Sequence, residues 1–241
     1  MCLYGSLTTP LQWPAALPQA RELIQTYIEQ MTDLSIRFLN LVAEALALPA
    51  ETFLPFVSDQ HRLKLVHYPA CAQTPTTSSP TNQGVGPHKD SSGWWTFLLQ
   101  ASPPEVNGLQ ALNKRGQWID IPNIPGTFVV NIGQAFEVIT HGVCKATTHR
   151  VLASQHERFS LPFFQGVRRS LTKQEALGAL AEHFSSQGEE STKGSEIDSA
   201  FLRGTYDTWG ESQLRTKIRS HRTAGKKFYP DVFESYINDD N

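Results

Sequence analysis

The stretch Gly86-Pro-His-Lys-Asp90, followed far along the chain by Lys145-Ala-Thr-Thr-His-Arg-Val151 and then by Arg158-Phe-Ser160, decides how this sequence is read. His88 and Asp90 stand two positions apart, so on a strand both side chains leave the same face, whereas on a helix they diverge. The spacing predicts a strand that presents an imidazole and a carboxylate as a chelating pair. His149 follows after a gap long enough for several strands to run out and return a second imidazole to the same point. Two imidazoles and one carboxylate on one side of a metal leave its other positions open, the facial arrangement of non-haem Fe(II) oxygen chemistry.

A His-x-Asp triplet alone is a common accident, and its flanks give this one weight. Gly84, Gly86 and Pro87 suit a tight entry, and Trp94–Gln100 reads as the next, partly buried strand. His61, His156, His183 and His221 lie in polar or charged surroundings and are expected to be solvated, whereas His67 and His141 are candidates to support the ligands from behind. Arg158 and Ser160 are again two apart, within an apolar run (Phe159, Leu161, Phe163, Phe164) that reads as a buried strand. A guanidinium turned inward needs an anion, because an unpaired buried charge is costly. A planar fork beside a hydroxyl suits a carboxylate, which Arg grips in bidentate fashion. The charge balance agrees: Fe²⁺ with one Asp carries a single positive charge, a 2-oxo diacid brings two negative ones, and Arg158 restores neutrality.

With these residues in view, the chain resembles the isopenicillin N synthase-like branch of the 2-oxoglutarate/Fe(II)-dependent dioxygenases. The resemblance runs from about Gln12 to Val167, through Leu63-Lys-Leu-Val-His-Tyr-Pro69, Gly86-Pro-His-Lys-Asp90, Gly108-Leu-Gln110, Trp118, Pro125-Gly-Thr-Phe-Val-Val-Asn-Ile-Gly133, Lys145-Ala-Thr-Thr-His-Arg-Val151 and Arg158-Phe-Ser160. It implies a double-stranded β-helix (jelly roll), mainly β with flanking helices. It further implies Fe(II) held by His88, Asp90 and His149, and a 2-oxoglutarate tail held by Arg158 and Ser160. Tyr68 matches a tyrosine that reaches the co-substrate, Asn131 an asparagine behind the ligands, and Phe164 an aromatic that faces substrate. O₂ would be the oxidant, and ascorbate the reductant that keeps iron divalent. Some positions depart from the family. Val66-His67-Tyr68-Pro69 stands where many relatives have Asn-Tyr-Tyr-Pro, so one polar contact near the co-substrate is expected to be absent or replaced by His67. The loop from His149 to Arg158 is one residue short of many relatives, and the usual Asn-Gly turn reads His141-Gly142. Relatives also carry a further N-terminal segment that supplies strands and pocket walls. The expectation is therefore an N-terminally incomplete jelly roll with an uncovered sheet edge open to association.

Composition is that of an ordinary globular chain: 241 residues, 39% hydrophobic and 18% charged. A formal charge of −2 gives no electrostatic case for nucleic acid. Nucleic-acid repair dioxygenases share the iron chemistry, but this charge and the Arg158-x-Ser160 signature point away from them. Cys2, Cys71 and Cys144 are odd in number and lack metal-ligand spacing, which favours a reducing compartment. No segment has the length of a membrane span, and the N-terminus lacks a basic region followed by an apolar core, so a cytoplasmic location is expected.

Three parts are expected along the chain. Residues 1–62 form a helical flank, in which Leu23, Ile24, Tyr27, Ile28, Met31, Leu34, Phe38, Leu41 and Val42 recur at helical spacing after Pro18. Residues 63–167 form the jelly-roll core, with strands at 63–67, 94–100, 109–112, 118–121, 127–132, 146–151 and 160–165. Residues 168–241 form a helical extension, with a helix over 173–184 and a mobile polar loop near 185–199. The basic cluster from Arg215 to Lys227 interleaves with Leu214, Ile218 and Phe228, as a solvated helix with one docked face does. The leading functional expectation is oxidation of a small organic, secondary metabolite by hydroxylation, desaturation or ring closure. Two alternatives stand beside it: an Fe(II) oxidase of the same fold that uses no 2-oxoglutarate, and a shortened, non-enzymatic member.

Overall fold

Alternating apolar residues on short strands can bury one face each, and here they do so as two antiparallel sheets packed against one another. The structure, a computed structural model, describes residues 2–4, 13–58, 60–71, 83–91, 93–185 and 197–238. The larger sheet holds β1 (Cys2–Tyr4), β2 (Arg62–Lys64), β3 (Val66–Tyr68), β5 (Trp95–Gln100), β8 (Val129–Ile132) and β10 (Arg158–Phe164). Its order is β1-β2-β10-β5-β8, with β3 also paired to β10. The smaller sheet holds β4 (Gln83–His88), β6 (Leu109–Leu112), β7 (Trp118–Asp120) and β9 (His149–Leu152), in the order β4-β9-β6-β7. Leu98 and Val129 from the larger sheet meet Leu109, Val151 and Val85 from the smaller one in a shared apolar cluster. This is the jelly roll that the sequence leads one to expect.

The outer face of the larger sheet is covered by α1 (Ala20–Ala45). Met31, Ser35, Leu39 and Ala43 recur every four residues and form its buried stripe. Phe38 meets Trp95 edge to face at 5.0 Å and Phe97 at 5.5 Å. Trp95–Leu98 are buried throughout because α1 lies on one side of them and the second sheet on the other. Leu39 is fully buried, so truncating it to Ala would cost about 2–5 kcal/mol. Helix α1 begins directly after the Pro18–Gln19 pair, and its N-cap Gln19 makes no side-chain capping bond. Leu23, Leu34 and Leu41, which fit the helical period, face outward.

A short helix, α2 (Gln134–Ile139), leaves β8 and is buried along almost its whole length. After β10 come α3 (Lys173–Gly178), α4 (Ala181–Ser185), α5 (Ala200–Arg203), α6 (Trp209–Ser220), α7 (Arg222–Phe228) and α8 (Pro230–Asn238). The helix expected over 173–184 is thus broken in two, just after Gly178, a weak helix former. Helix α6 starts with a reciprocal capping box between Thr208 and Glu211. Its Ile218 packs on Phe233 and Tyr236 of α8, so the basic segment does dock by one face. Most of the polar loop expected near 185–199 lies outside the described residues.

Several strand expectations need correction. The run 63–67 is two strands broken at Leu65, and β4 forms through Gly84, Gly86 and Pro87, whose composition suggests a turn. The pairing of β4 with β9 absorbs those residues through two register irregularities, between Gln83 and Val85 and between Val85 and His88. Strand β4 ends at His88, so Asp90 lies beyond it and not on the same strand. The outer edge of β2 is also not bare. Cys2–Tyr4 pairs along it antiparallel, with Leu3 opposite Leu63. An open edge offers unpaired N–H and C=O groups that a short apolar segment can satisfy, and three residues are too few to show a period in sequence.

Candidate metal centre and co-substrate pocket

Each imidazole of the candidate triad is oriented by its own backbone. His88 Nδ1 lies 2.9 Å from the Gly86 carbonyl oxygen, and His149 Nδ1 lies 3.0 Å from that of Thr147. A carbonyl only accepts, so both rings carry their proton on Nδ1 and turn the Nε2 lone pair outward, as metal-binding imidazoles do. Asp90 is fixed from two directions. Thr96 Oγ1 on β5 donates to Asp90 Oδ2 at 2.7 Å, and the backbone N–H of Gln134, opening α2, donates to the Asp90 carbonyl at 2.9 Å. Oδ1 is left 3.8 Å from the Nε2 atoms of both His88 and His149. The three donor atoms lie within 4.8 Å of one another and could hold one metal ion. Asp90 and His149 are buried, while His88 keeps 41% of its side chain exposed. One carboxylate oxygen and two imidazole nitrogens, converging from one side, fit a divalent iron with open positions.

The triad opens onto a cavity of about 180 Å³ between the sheets. Strand alternation builds its floor: Val66 and Tyr68 from β3, and Arg158, Ser160, Pro162 and Phe164 from β10. Thr96, Leu98 and Asn131 continue the same surface, and Val85, Leu109 and Val151 close it from the smaller sheet. A more open hollow of about 600 Å³ on the C-terminal helices, lined by residues such as Arg222, Lys226 and Phe233, includes none of the metal-ligating side chains.

Arg158 is 1% exposed. Its Nη2 donates to Gln100 Oε1 at 3.2 Å, and its guanidinium carbon lies 5.1 Å from the centre of the Tyr68 ring. Nη1 is buried without a hydrogen-bond partner among the described residues. Burial pulls the Arg158 pKa below its ordinary value, an effect opposed by the charge and hydrogen bonding of Tyr68. A guanidinium remains charged regardless, so the cavity contains a desolvated cation whose Nη1 amino group is still unmatched. That is the signature of a receptor for an anion. Gly108, which packs beside the Arg158 stem, is required by its backbone. It sits at φ +147°, and a Cβ there would meet the Leu152 carbonyl at 3.1 Å and Arg158 Cδ at 3.8 Å.

His88, Asp90, His149, Arg158, Ser160, Tyr68, Asn131 and Phe164 all line this one cavity. His67 does not. On β3 it alternates with Val66 and Tyr68, so its ring turns outward, stacks on Phe159 at 4.7 Å and approaches Glu157 at 3.5 Å. It cannot replace a polar contact near the co-substrate. His141 holds the turn after α2 with a left-handed φ of 50°, and it too is absent from the cavity wall. The reading from sequence missed Thr96 and Gln100. Both sit on β5, where a hydroxyl or amide facing a dry interior requires a partner.

Residues 60–167 match the family model of the 2OG-Fe(II) oxygenase superfamily. The 2-oxoglutarate-dependent dioxygenase frbJ of Dothideomycetidae sp. (strain 11243) is 41% identical over 95% of this chain and 64% of its own length. A 2-oxoglutarate-dependent dioxygenase of Gibberella zeae is 34% identical over 96% of this chain and again 64% of its own length. Among solved structures, a full-length Neurospora crassa protein in complex with alpha-KG is similar, with a TM-score of 0.62 and 27% identity over 70% of this chain and 55% of that one. A jelly roll with a convergent His-Asp-His triad, taken with these matches, defines the class: residues 60–167 carry the domain of the 2OG-Fe(II) oxygenase superfamily. It spans 64% of the length of the two fungal relatives. Among the described residues, no helix is long and apolar enough to cross a membrane.

Proposed function

We propose that this chain carries the catalytic core of a 2-oxoglutarate-dependent oxygenase that oxidises a small organic metabolite. The observation that carries this reading is the pairing, in one cavity, of a convergent His88-Asp90-His149 triad with the buried, unmatched Nη1 of Arg158. His88, Asp90 and His149 would hold Fe(II). Arg158 and Ser160 would take the distal carboxylate of 2-oxoglutarate, with Tyr68 packed beside them. Bound there, Fe(II) and 2-oxoglutarate would supply the oxidising power, with O₂ consumed and 2-oxoglutarate converted to succinate and CO₂ while the substrate is oxidised.

The residues contribute positioning. Thr96 engages Oδ2 of Asp90 and so leaves Oδ1 aimed at the metal position. Arg158, anchored by Gln100, presents its free N–H to a carboxylate in a low-dielectric setting, where a charge-assisted bond is strong. Leu98, Leu109 and Val151 keep the space between these groups apolar and limit water. A small-molecule substrate has precedent in a relative: the same Neurospora crassa protein has a structure with alpha-KG and thymine. Phe164 and Asn131, at the triad end of the cavity, are the side chains proposed to meet the substrate. The free thiols of Cys71 and Cys144 suit action in the cytosol.

The test is direct. Anaerobic addition of Fe(II) and then 2-oxoglutarate should produce the visible charge-transfer absorption of an Fe(II)–2-oxo acid chelate, and admission of O₂ should release succinate. A protein that binds iron but never develops that absorption would overturn the reading and favour an oxidase that uses no 2-oxoglutarate.

A further inference from the structure

Glu137 is a carboxylate that the proposed reaction does not use, and it is 5% exposed. Its partner is Lys89, the residue between the two ligands His88 and Asp90. Lys89 Nζ reaches both of its oxygens, at 3.3 and 3.1 Å. Burying its Glu137 side costs desolvation that attraction to a partly exposed Lys89 often fails to recover, so a stability role alone accounts for the pair poorly. Its location offers a better account. Strand β4 ends at His88, and the ligand Asp90 sits in the following loop, where no sheet register holds it.

We infer that Glu137 and Lys89 form a clamp that positions the Asp90 loop for metal binding. Other contacts converge on the same short segment. The Gln134 N–H holds the Asp90 carbonyl at 2.9 Å, and Gln213 Nε2, from α6, holds the Ser91 carbonyl at 2.7 Å. Residues 89, 90 and 91 are thus each tied to a helix, two to α2 and one to α6. The two backbone ties fix the height of the loop. The ion pair is its one charged tie among these, and it acts between the ligands, where a small rotation of the loop would swing Oδ1 away from the imidazoles. Glu137 also offsets the ammonium charge of Lys89, which would otherwise repel a divalent cation bound beside it. Lys89 and Glu137 are positioning residues: neither belongs to the set of donor atoms that converge on the metal position.

The inference rests on the proposed iron site, and one metal titration separates the two. Co(II), a spectroscopic stand-in for Fe(II), is titrated into metal-free parent, Lys89→Met, Glu137→Gln and the double variant, with thermal unfolding recorded for each. Failure of the parent to bind Co(II) would sink the metal site itself. With the parent binding, each single variant should bind about tenfold or more weakly, the range typical of groups that orient metal ligands. The double variant should be no worse than the weaker single one, because the two residues act as a unit. Lys89 is one-third exposed, so Lys89→Met should stay folded even if Glu137→Gln does not. Parental affinity in Lys89→Met would overturn the clamp, and so would full recovery in the double variant, which would mean that only charge mattered.

Discussion

Strand β10 and strand β4 both deliver polar side chains to the same cavity, and they do it in opposite ways. Strand β10 is seven residues long and is paired on both sides. It runs against β5 in continuous register from Ser160–Gln100 to Phe164–Thr96, and against β3 and β2 on its other edge. Arg158 and Ser160 therefore point inward by alternation alone. Among the described residues, strand β4 is paired on one side, to β9, and it slips register twice and stops at His88. Its second functional residue, Asp90, is aimed by Thr96, by the start of α2 and by the Lys89–Glu137 pair. The anion receptor is a product of sheet register, as is the pairing of His88 with His149 across β4 and β9, whereas the third ligand, Asp90, is held by individual tethers. Perturbing the first should require a change in the receptor or in what packs on its side chains, whereas the aim of Asp90 should respond to residues that never touch the metal.

The largest effect belongs to the tethered side. Asp90→Ala removes the donor that stands 3.8 Å from both imidazoles, leaving two neutral nitrogens to face a divalent ion. Stoichiometric Fe(II) binding, measured anaerobically, should be lost. Retention of parental iron affinity in this variant would move the metal elsewhere and dissolve the comparison.

Next comes the receptor. Arg158→Ala should leave the metal in place and cost 2-oxoglutarate about 2–5 kcal/mol of binding, the scale for losing one partner of a buried charged contact. Titration of the charge-transfer absorption measures it. Normal co-substrate affinity would mean that another group binds the carboxylate, although Arg158 is the buried cation of the cavity wall. A loss of iron as well would show that the two sides are less separable than their construction suggests.

How much of this was legible in the sequence follows the same division. Arg158 and Ser160 were readable because a regular buried strand obeys a period of two, and the structure puts both on the predicted face. The same rule, applied to His67 and Tyr68, assigns them to opposite faces, which is why the expected contact from His67 fails. His88 and Asp90 were identified as residues, but the strand invoked to pair them ends before Asp90. Their convergence depends on Thr96, Gln134 and Glu137, which lie from six to 48 positions away along the chain and carry no local pattern. The helix α1 was legible from its apolar period, yet Leu23, Leu34 and Leu41 share that period and face outward. Periodicity marks a helix more reliably than it marks which residues along it are covered. The first part of strand β4 was hidden because Gly84, Gly86 and Pro87 are turn residues by composition, and only pairing with β9 makes them a strand.

The smallest effect should come from Gly84, where β4 faces Tyr68 of β3. A Cβ at this position of β4 would stand 2.7 Å from Tyr68 Cδ1 and 3.5 Å from Val151 Cγ1. The first distance is too short to keep, so in Gly84→Ala the Tyr68 ring must shift, and overpacking of this kind costs about 1–3 kcal/mol of stability. The ring that moves is the one packed beside the Arg158 guanidinium. The variant should therefore weaken 2-oxoglutarate by a few-fold, much less than Arg158→Ala, while Co(II) affinity stays near parental because every tether of Asp90 is untouched. His67→Ala supplies the control: it changes the neighbour of Tyr68 on the outward face of the same strand, and co-substrate affinity should not move. If Gly84→Ala weakened the metal and spared 2-oxoglutarate, the irregular strand would be aiming the ligands directly, and the division between register and tethers would have to be redrawn.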